Sequence, residues 1–238
     1  MHISGKKFAI TGAGRGLGMA LAIVMAEAGV RLVLLARQLS ALEETANAIR
    51  NRTGQIADIL ICDLADANSC VEAGGSLVRE HPDLDGLIHN GAMWLPGSLE
   101  HTSDNDIQAC ISSAAIGSLI LTRHVLPILG ARKTADIHTV ISTSGLPNAA
   151  LSGTSIAFRA AKAAQDGFVQ GLAEELKQTQ IRVTAVYPGD FENISPLDAA
   201  WHVPKRLGSS LTAREVVDSI LFALNAPRNA TVRTLVIE

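Results

Sequence analysis

The chain has 238 residues, 47% of them hydrophobic, enough to bury one sizeable core as a single domain. Charged residues make up 18% and the net charge is −3, so there is no basic footprint for nucleic acid. Met1 to Lys6 holds no signal-peptide apolar region and no apolar run reads as long enough to cross a bilayer, so a cytoplasmic chain without a membrane partner is expected.

In chain order, Phe8-Ala9-Ile10 reads as a buried strand, followed by a glycine loop, Thr11 to Gly18, and an apolar helical pattern. Gly29 ends that helix and Val30 to Ala36 is the second strand. Ser40-Ala41-Leu42-Glu43 predicts a capping box for a helix that Gly54 stops. Ile59 to Cys62, a continuous apolar run, predicts a strand buried on both faces of a parallel sheet. Asp66 or Asn68 caps the next helix and His81-Pro82 closes it. Leu84 to His89 is the fourth strand. A long helix over 104–129 follows, loosened near Gly117 and Pro127. Ile137 to Ser142 is the fifth strand, a helix covers 154–178, and Arg182 to Tyr187 is the sixth strand. Asp190 to Ser210, with Pro196, Pro204 and Gly208, reads as an irregular excursion placed as a small lid. Thr212 caps a last helix and Val232 to Ile237 is the last strand. Cys62, Cys70 and Cys110 lack a paired-ligand spacing and read as buried thiols, so no metal site is expected.

This alternation predicts an α/β fold: a single-domain, Rossmann-type, doubly wound parallel sheet of about seven strands with helices on both faces. In such sheets a ligand lies beyond the carboxyl ends of the strands, at the topological switch point. Those ends carry Thr11, Arg37, Asp63, Asn90, Ser142 to Ser144 and Pro188-Gly189. Glycines after the first strand let backbone N–H groups approach a pyrophosphate at a helix N-terminus. The second strand ends in Arg37 where an acidic residue would accept from a ribose hydroxyl, and Arg15 sits in the glycine loop. Arginine forks suit phosphate, so the pair predicts NADP(H) in preference to NAD(H).

The spacing Thr11-Gly12-x-x-x-Gly16-x-Gly18, with Asp63-Leu64, Asn90, Ser142-Thr143-Ser144-Gly145, Lys162 and Pro188-Gly189 after successive strands, resembles the short-chain dehydrogenase/reductase family over nearly the whole chain. The resemblance implies cofactor contacts at Gly12, Arg15, Gly16, Leu17, Arg37, Asp63, Leu64, Asn90, Gly91, Lys162, Pro188 and Gly189. It also implies catalytic positions at Ser144, Lys162 and Phe158, and a small carbonyl or alcohol substrate. The family uses a tyrosine four residues before the lysine as proton donor, a serine to polarise the carbonyl, and an asparagine on the preceding long helix. Here Phe158 stands four residues before Lys162, and Ala114 falls at the asparagine position. Ser144 is one residue further from Phe158 than the commonest family spacing, and Ser142 is the lesser candidate. Asn193 falls where a threonine often meets the carboxamide.

Tyr187, His89 or a water held by Lys162 and Ser144 are the alternative proton donors, with Tyr187 read first as a core aromatic and His89 as a buried, hydrogen-bonded histidine. Trp94, Trp201 and His202 read either as cavity lining or as lid packing. Two functions follow: an NADP(H)-dependent oxidoreductase with an atypical or impaired site, or a catalytically silent NADP(H)-binding relative with a sensing role. Small residues on the two long helices, among them Ala115, Gly117, Ala160 and Ala164, together with the resemblance, imply a homodimer or homotetramer.

Overall fold

The computed structural model describes residues 2–149 and 153–238. The first half runs β1 (Lys7–Thr11), α1 (Gly16–Glu27), β2 (Arg31–Ala36), α2 (Leu39–Thr53), β3 (Asp58–Ile61), α3 (Ala67–Glu80) and β4 (Gly86–His89). The second half runs α4 (Asp104–Ile111), a π-helical turn (Ser112–Ile116), α5 (Gly117–Gly130), β5 (Ala135–Val140), α6 (Ile156–Glu175) and β6 (Ile181–Pro188). It closes with β7 (Phe191–Glu192), β8 (Leu211–Thr212), α7 (Ala213–Asn225) and β9 (Thr234–Ile237). Seven strands form one parallel sheet in the order β3-β2-β1-β4-β5-β6-β9. The order reverses direction between β1 and β4, which is the switch point.

Each face of the sheet carries its own core. Phe8, Ile10 and Ile88 pack with Leu21, Ile23, Val217 and Ile220 from α1 and α7 on one face. Leu35, Leu87 and Ile137 pack with Leu77, Leu121, Val125 and Leu172 from α3, α5 and α6 on the other. The expected single-domain doubly wound fold is the fold observed.

Local details depart from the sequence reading at four places. β3 is an edge strand, with Ile59 37% and Ile61 55% exposed, rather than a strand buried on both faces. A short apolar run carries no mark of whether a second neighbour will pair with it. α2 starts at Leu39 behind Gln38 with no side-chain cap, so Ser40 lies inside the first turn and makes no capping box. The helical stretch Asp104–Gly130 spans 27 residues, and with a mean hydropathy of 1.4 in its most apolar 18-residue window it is long and apolar enough to cross a membrane by length and composition. That corrects the reading that no such segment exists; 56% of its most apolar window is buried in the fold, where α5 lies on α3 and α4 on α6. Finally, the excursion after β6 is partly ordered: β7 pairs with β8, and Trp201 is buried in the core of the α1 and α7 face. Arg214 Nη1 donates to the Trp201 carbonyl at 3.1 Å, fastening that turn to α7.

Other caps follow the sequence. Gly54 takes φ +74° at the end of α2, and Asp66 accepts from the Asn68 amide at 2.9 Å. Thr212 and Glu215 form a capping box on α7.

Candidate functional site

The carboxyl ends of the strands open into one cleft of about 1160 Å³. Gly12, Arg15, Gly16 and Leu17 line it after β1, Arg37 after β2, Asp63 and Leu64 after β3, and Asn90 and Gly91 after β4. Ser142, Ser144, Phe158 and Lys162 line it beyond β5 and on α6, and Pro188 and Gly189 after β6. The cofactor-contact candidates, with Ser144, Phe158 and Lys162, therefore border one cavity, whereas Ala114, His89, Tyr187, Trp201 and His202 do not.

The glycine loop is shaped by close approach. Gly12 has φ +67°, and a Cβ there would stand 2.6 Å from Gly91 Cα. A Cβ on Gly18 would lie 2.1 Å from the Gly12 carbonyl oxygen and 2.5 Å from Asn90 Nδ2. Asn90 stitches the switch point together: Nδ2 donates to the carbonyls of Thr11 (3.1 Å) and Gly12 (3.3 Å). The Asn90 and Gly91 amides both donate to Thr11 Oγ1, at 3.1 and 3.0 Å. Part of the Asn90 signal is thus structural, tying β4 to β1.

At the start of α1 no side chain caps the helix, in contrast to α3, α4, α6 and α7. The first N–H groups of an α-helix have no intrahelical acceptor, and the helix dipole adds partial positive charge. Gly16, Leu17 and Gly18 of this turn face the cleft. Arg15 and Arg37 are exposed there, and among the described residues neither forms an ion pair. Such a donor set suits a ligand anionic at its middle and at one end. Asp63 Oδ1 accepts from the Ala65 amide at 3.0 Å, so one of its oxygens closes a turn.

At the other end of the cleft, Ser155 Oγ caps α6 by accepting from the Phe158 amide at 3.1 Å. Phe158 is buried with Leu95, Cys110, Ala114, Ala157 and Ala161. One turn on, Lys162 is 4% exposed; its Nζ donates to Gln165 Oε1 at 2.8 Å and the Val140 carbonyl at 3.3 Å, and lies 5.6 Å from the centre of the Phe158 ring. Burial lowers its pKa to about 7. Ser144 donates its amide to Ser142 Oγ at 3.1 Å, and both residues border the cleft.

Two alternative donors lie outside the cavity wall. Tyr187 is buried and donates from its hydroxyl to Asp166 Oδ1 at 2.5 Å, with burial and that carboxylate pushing its pKa up. His89 is fully buried, Nε2 paired with Thr122 Oγ1 at 2.8 Å and its ring edge-on to Phe168; burial drives its pKa down to about 3. Trp94 is 62% exposed and lines the cleft, whereas Trp201 packs in the core and His202 borders a separate surface hollow.

Sequence reasoning missed Ser113. Ala114 is buried away from the cavity wall, but Ser113 faces the cleft, accepting from the Met93 amide (3.1 Å) and donating to the Cys110 carbonyl (3.2 Å). The π-helical turn Ser112–Ile116 changes the phase of the long helix there, and a regular 3.6-residue period gives no sign of it. Asn193 does border the cleft, with Oδ1 over Gly16. All three cysteines are buried, unpaired thiols, as expected.

Residues 6–201 match the family described as short chain dehydrogenase. An NADP-dependent 3-hydroxy acid dehydrogenase of Schizosaccharomyces pombe is 30% identical over 240 residues, spanning 97% of this chain and 91% of that one. A fatty acyl-CoA reductase of Acinetobacter baylyi is 30% identical over 227 residues, spanning 94% and 74%. Among solved structures, the L-sorbose reductase from Gluconobacter frateurii, complexed with NADPH and L-sorbose, shares the fold with a TM-score of 0.84 at 22% identity, over 99% of this chain and 95% of that one. With the family match covering most of its length and the sheet order to go with it, the chain belongs to the short-chain dehydrogenase family.

Proposed function

We propose that the chain is an NADP(H)-dependent oxidoreductase that interconverts a small carbonyl compound and its alcohol through an atypical active site. The observation that carries this reading is the single cleft joining an uncapped helix N-terminus and two arginines outside any described ion pair to the Ser144–Lys162 end. Its relatives support it: two full-length neighbours are named for NADP or NADPH chemistry. The dinucleotide, when bound, supplies the hydrogen and electron pair exchanged with the substrate carbon.

The backbone at Gly12, Gly16 and Leu17 receives the pyrophosphate, and Arg15 and Arg37 the 2′-phosphate. Asp63 and Leu64 border the adenine, with Asn90 and Gly91 flanking the chain of the cofactor. Lys162 borders the nicotinamide ribose, and Pro188 and Gly189 meet the carboxamide. Ser144 donates to the substrate oxygen, as a preorganised dipole aimed at developing charge. Phe158 and Ala114 stand where the family has tyrosine and asparagine, so a proton must reach the substrate by another path. One domain carries all of this, with 190–210 as the lid. Ile116 (44% exposed) and Leu119 (51% exposed) on the long helix support a homodimer or homotetramer. The absence of a hydroxyl on Phe158 favours the second reading, a silent NADP(H)-binding protein, only if turnover is absent.

Arg37→Asp tests the cofactor assignment. It removes a charge-assisted contact and adds a repulsive carboxylate, so the preference for NADPH over NADH should fall at least about tenfold. Fluorescence titration with both dinucleotides reads this directly; an unchanged ratio would mean that Arg37 does not sense the phosphate.

A further inference from the structure

Proton delivery in this cleft has few possible sources. Of the charged residues that line it, Arg15, Arg37 and Asp63 border the end after β1, β2 and β3, and Asp190 follows Pro188-Gly189 beyond β6. The hydroxyls of Ser113, Ser142, Ser144 and Thr154 are too weakly acidic to give up a proton unaided, and a hydrogen bond with Cys70 and burial push the Cys62 thiol up. Phe158 has none to give, and the phenol of Tyr187 and the ring of His89 are buried off the cavity wall. That leaves Lys162.

We propose that Lys162 is itself the acid that protonates the substrate oxygen, and that Gln165 is the positioning residue that holds and tunes it. The proposal rests on the oxidoreductase reading above, since the carbon must receive the hydrogen and electron pair of a reduced dinucleotide. The lysine step is a proton transfer without change of oxidation state. An Nζ–H bond breaks and its electron pair stays on nitrogen, an O–H bond forms at the substrate oxygen, and neutral Lys162 is reprotonated from solvent. In the oxidative direction the amine takes the proton from the alcohol.

Gln165 is committed to the lysine. It sits three residues on along α6, on the same face, fully buried, with Oε1 2.8 Å from Nζ. An ammonium only donates, so the amide must present its oxygen there, and its Nε2 is left without a hydrogen-bond partner among the described residues. Gln165 and the Val140 carbonyl take two of the three ammonium hydrogens; the third is spare on a side chain that borders the cleft.

A neutral acceptor has a second consequence. A carboxylate in its place would stabilise the ammonium and make it a poor acid, whereas an amide orients Nζ without adding charge. Burial holds Lys162 to about 7, so ammonium and amine are both populated near neutral pH, as acid–base catalysis requires. The titratable group set against it is Cys110, on α4, and burial raises that thiol so that it is neutral and offsets little. The charged groups lining the same cleft are Arg15, Arg37, Asp63 and Asp190.

The test compares two titrations of the intact protein: the pH dependence of carbonyl reduction by NADPH, using the fastest member of a panel of aromatic aldehydes, short ketones and 3-oxo esters, and the pH dependence of Lys162 acetylation by acetic anhydride, read by mass spectrometry. In the unmodified chain, the alkaline fall in rate and the labelling midpoint should coincide. Gln165→Glu should move both upward together by about one to three pH units, and Gln165→Met should move both downward. A labelling midpoint that shifts while the rate profile stays would assign the proton to another group. A midpoint that ignores both substitutions would remove Gln165 from its role. If neither variant folds, a mismatch of the two titrations in the unmodified chain is enough to overturn the proposal. Absence of any turnover, with normal labelling, would instead strike down the oxidoreductase reading on which it rests.

Discussion

Lys162→Met should lower carbonyl turnover near pH 7 by about 10²–10⁴-fold, the range that a positioned acid contributes. Methionine fills the same buried channel between Phe158 and Gln165 but donates nothing. A loss confined to dinucleotide affinity, with kcat unchanged at saturation, would leave Lys162 as a binding residue only. The same variant has a second signature. Burial holds Lys162 to about 7 against an ordinary value of 10.5. Between those limits the unfolded chain binds a proton that the folded chain has released, so stability rises with pH across the window. Below it both states are protonated, and the buried charge weighs fully against folding. Lys162→Met should therefore be the more stable chain at about pH 6, and the advantage should shrink towards about pH 10. Urea denaturation at the two pH values measures it; parallel curves for both chains would contradict the lowered pKa.

Asp136→Ala should cost about 3–5 kcal/mol of folding stability, the penalty for stranding a buried partner charge. Asp136 lies on β5 at the end of the sheet opposite the cleft and is fully buried. Its Oδ1 accepts from Arg182 Nε at 2.8 Å, and Oδ2 from Arg228 Nη2 at 2.5 Å. Arg182 Nη2 and Nη1 donate to the carbonyls of Leu224 and Ala226, at the end of α7. The carboxylate thus joins β5, β6 and the last helix, and without it a buried guanidinium has no counter-charge. Chemical denaturation checks this, with Arg37→Asp as a control that should leave stability nearly unchanged. A loss below about 1 kcal/mol would place the pair among weak surface contacts.

Much of the fold was legible because buried parallel strands read as apolar runs and the glycine loop lies between two of them. The caps at Asp66 and Thr212 were legible for the same local reason: a short polar side chain before an apolar helical pattern has one favourable use. β3 was misread, since burial of Ile59 and Ile61 depends on a neighbouring strand that the local sequence does not describe. The cleft residues were legible as strand ends, whereas the acid–base arrangement was not. Lys162 and Gln165 share a face only once the phase of α6 is known, and Ser113 reaches the cavity because the π-helical turn alters the phase ahead of α5. Tyr187 sits one residue before Pro188, yet its side chain turns to Asp166 on the far side of β6; strand alternation separates neighbours that sequence places together.

The central claim is that this cleft uses NADPH to reduce carbonyls without a tyrosine at position 158. Its most direct test is the oxidation of NADPH by the unmodified protein, followed by absorbance across the carbonyl panel, with NADH in parallel. The account predicts turnover of at least one carbonyl, faster with NADPH than with NADH. Tight NADPH binding with no turnover of any member would contradict it and leave a dinucleotide-binding protein in its place.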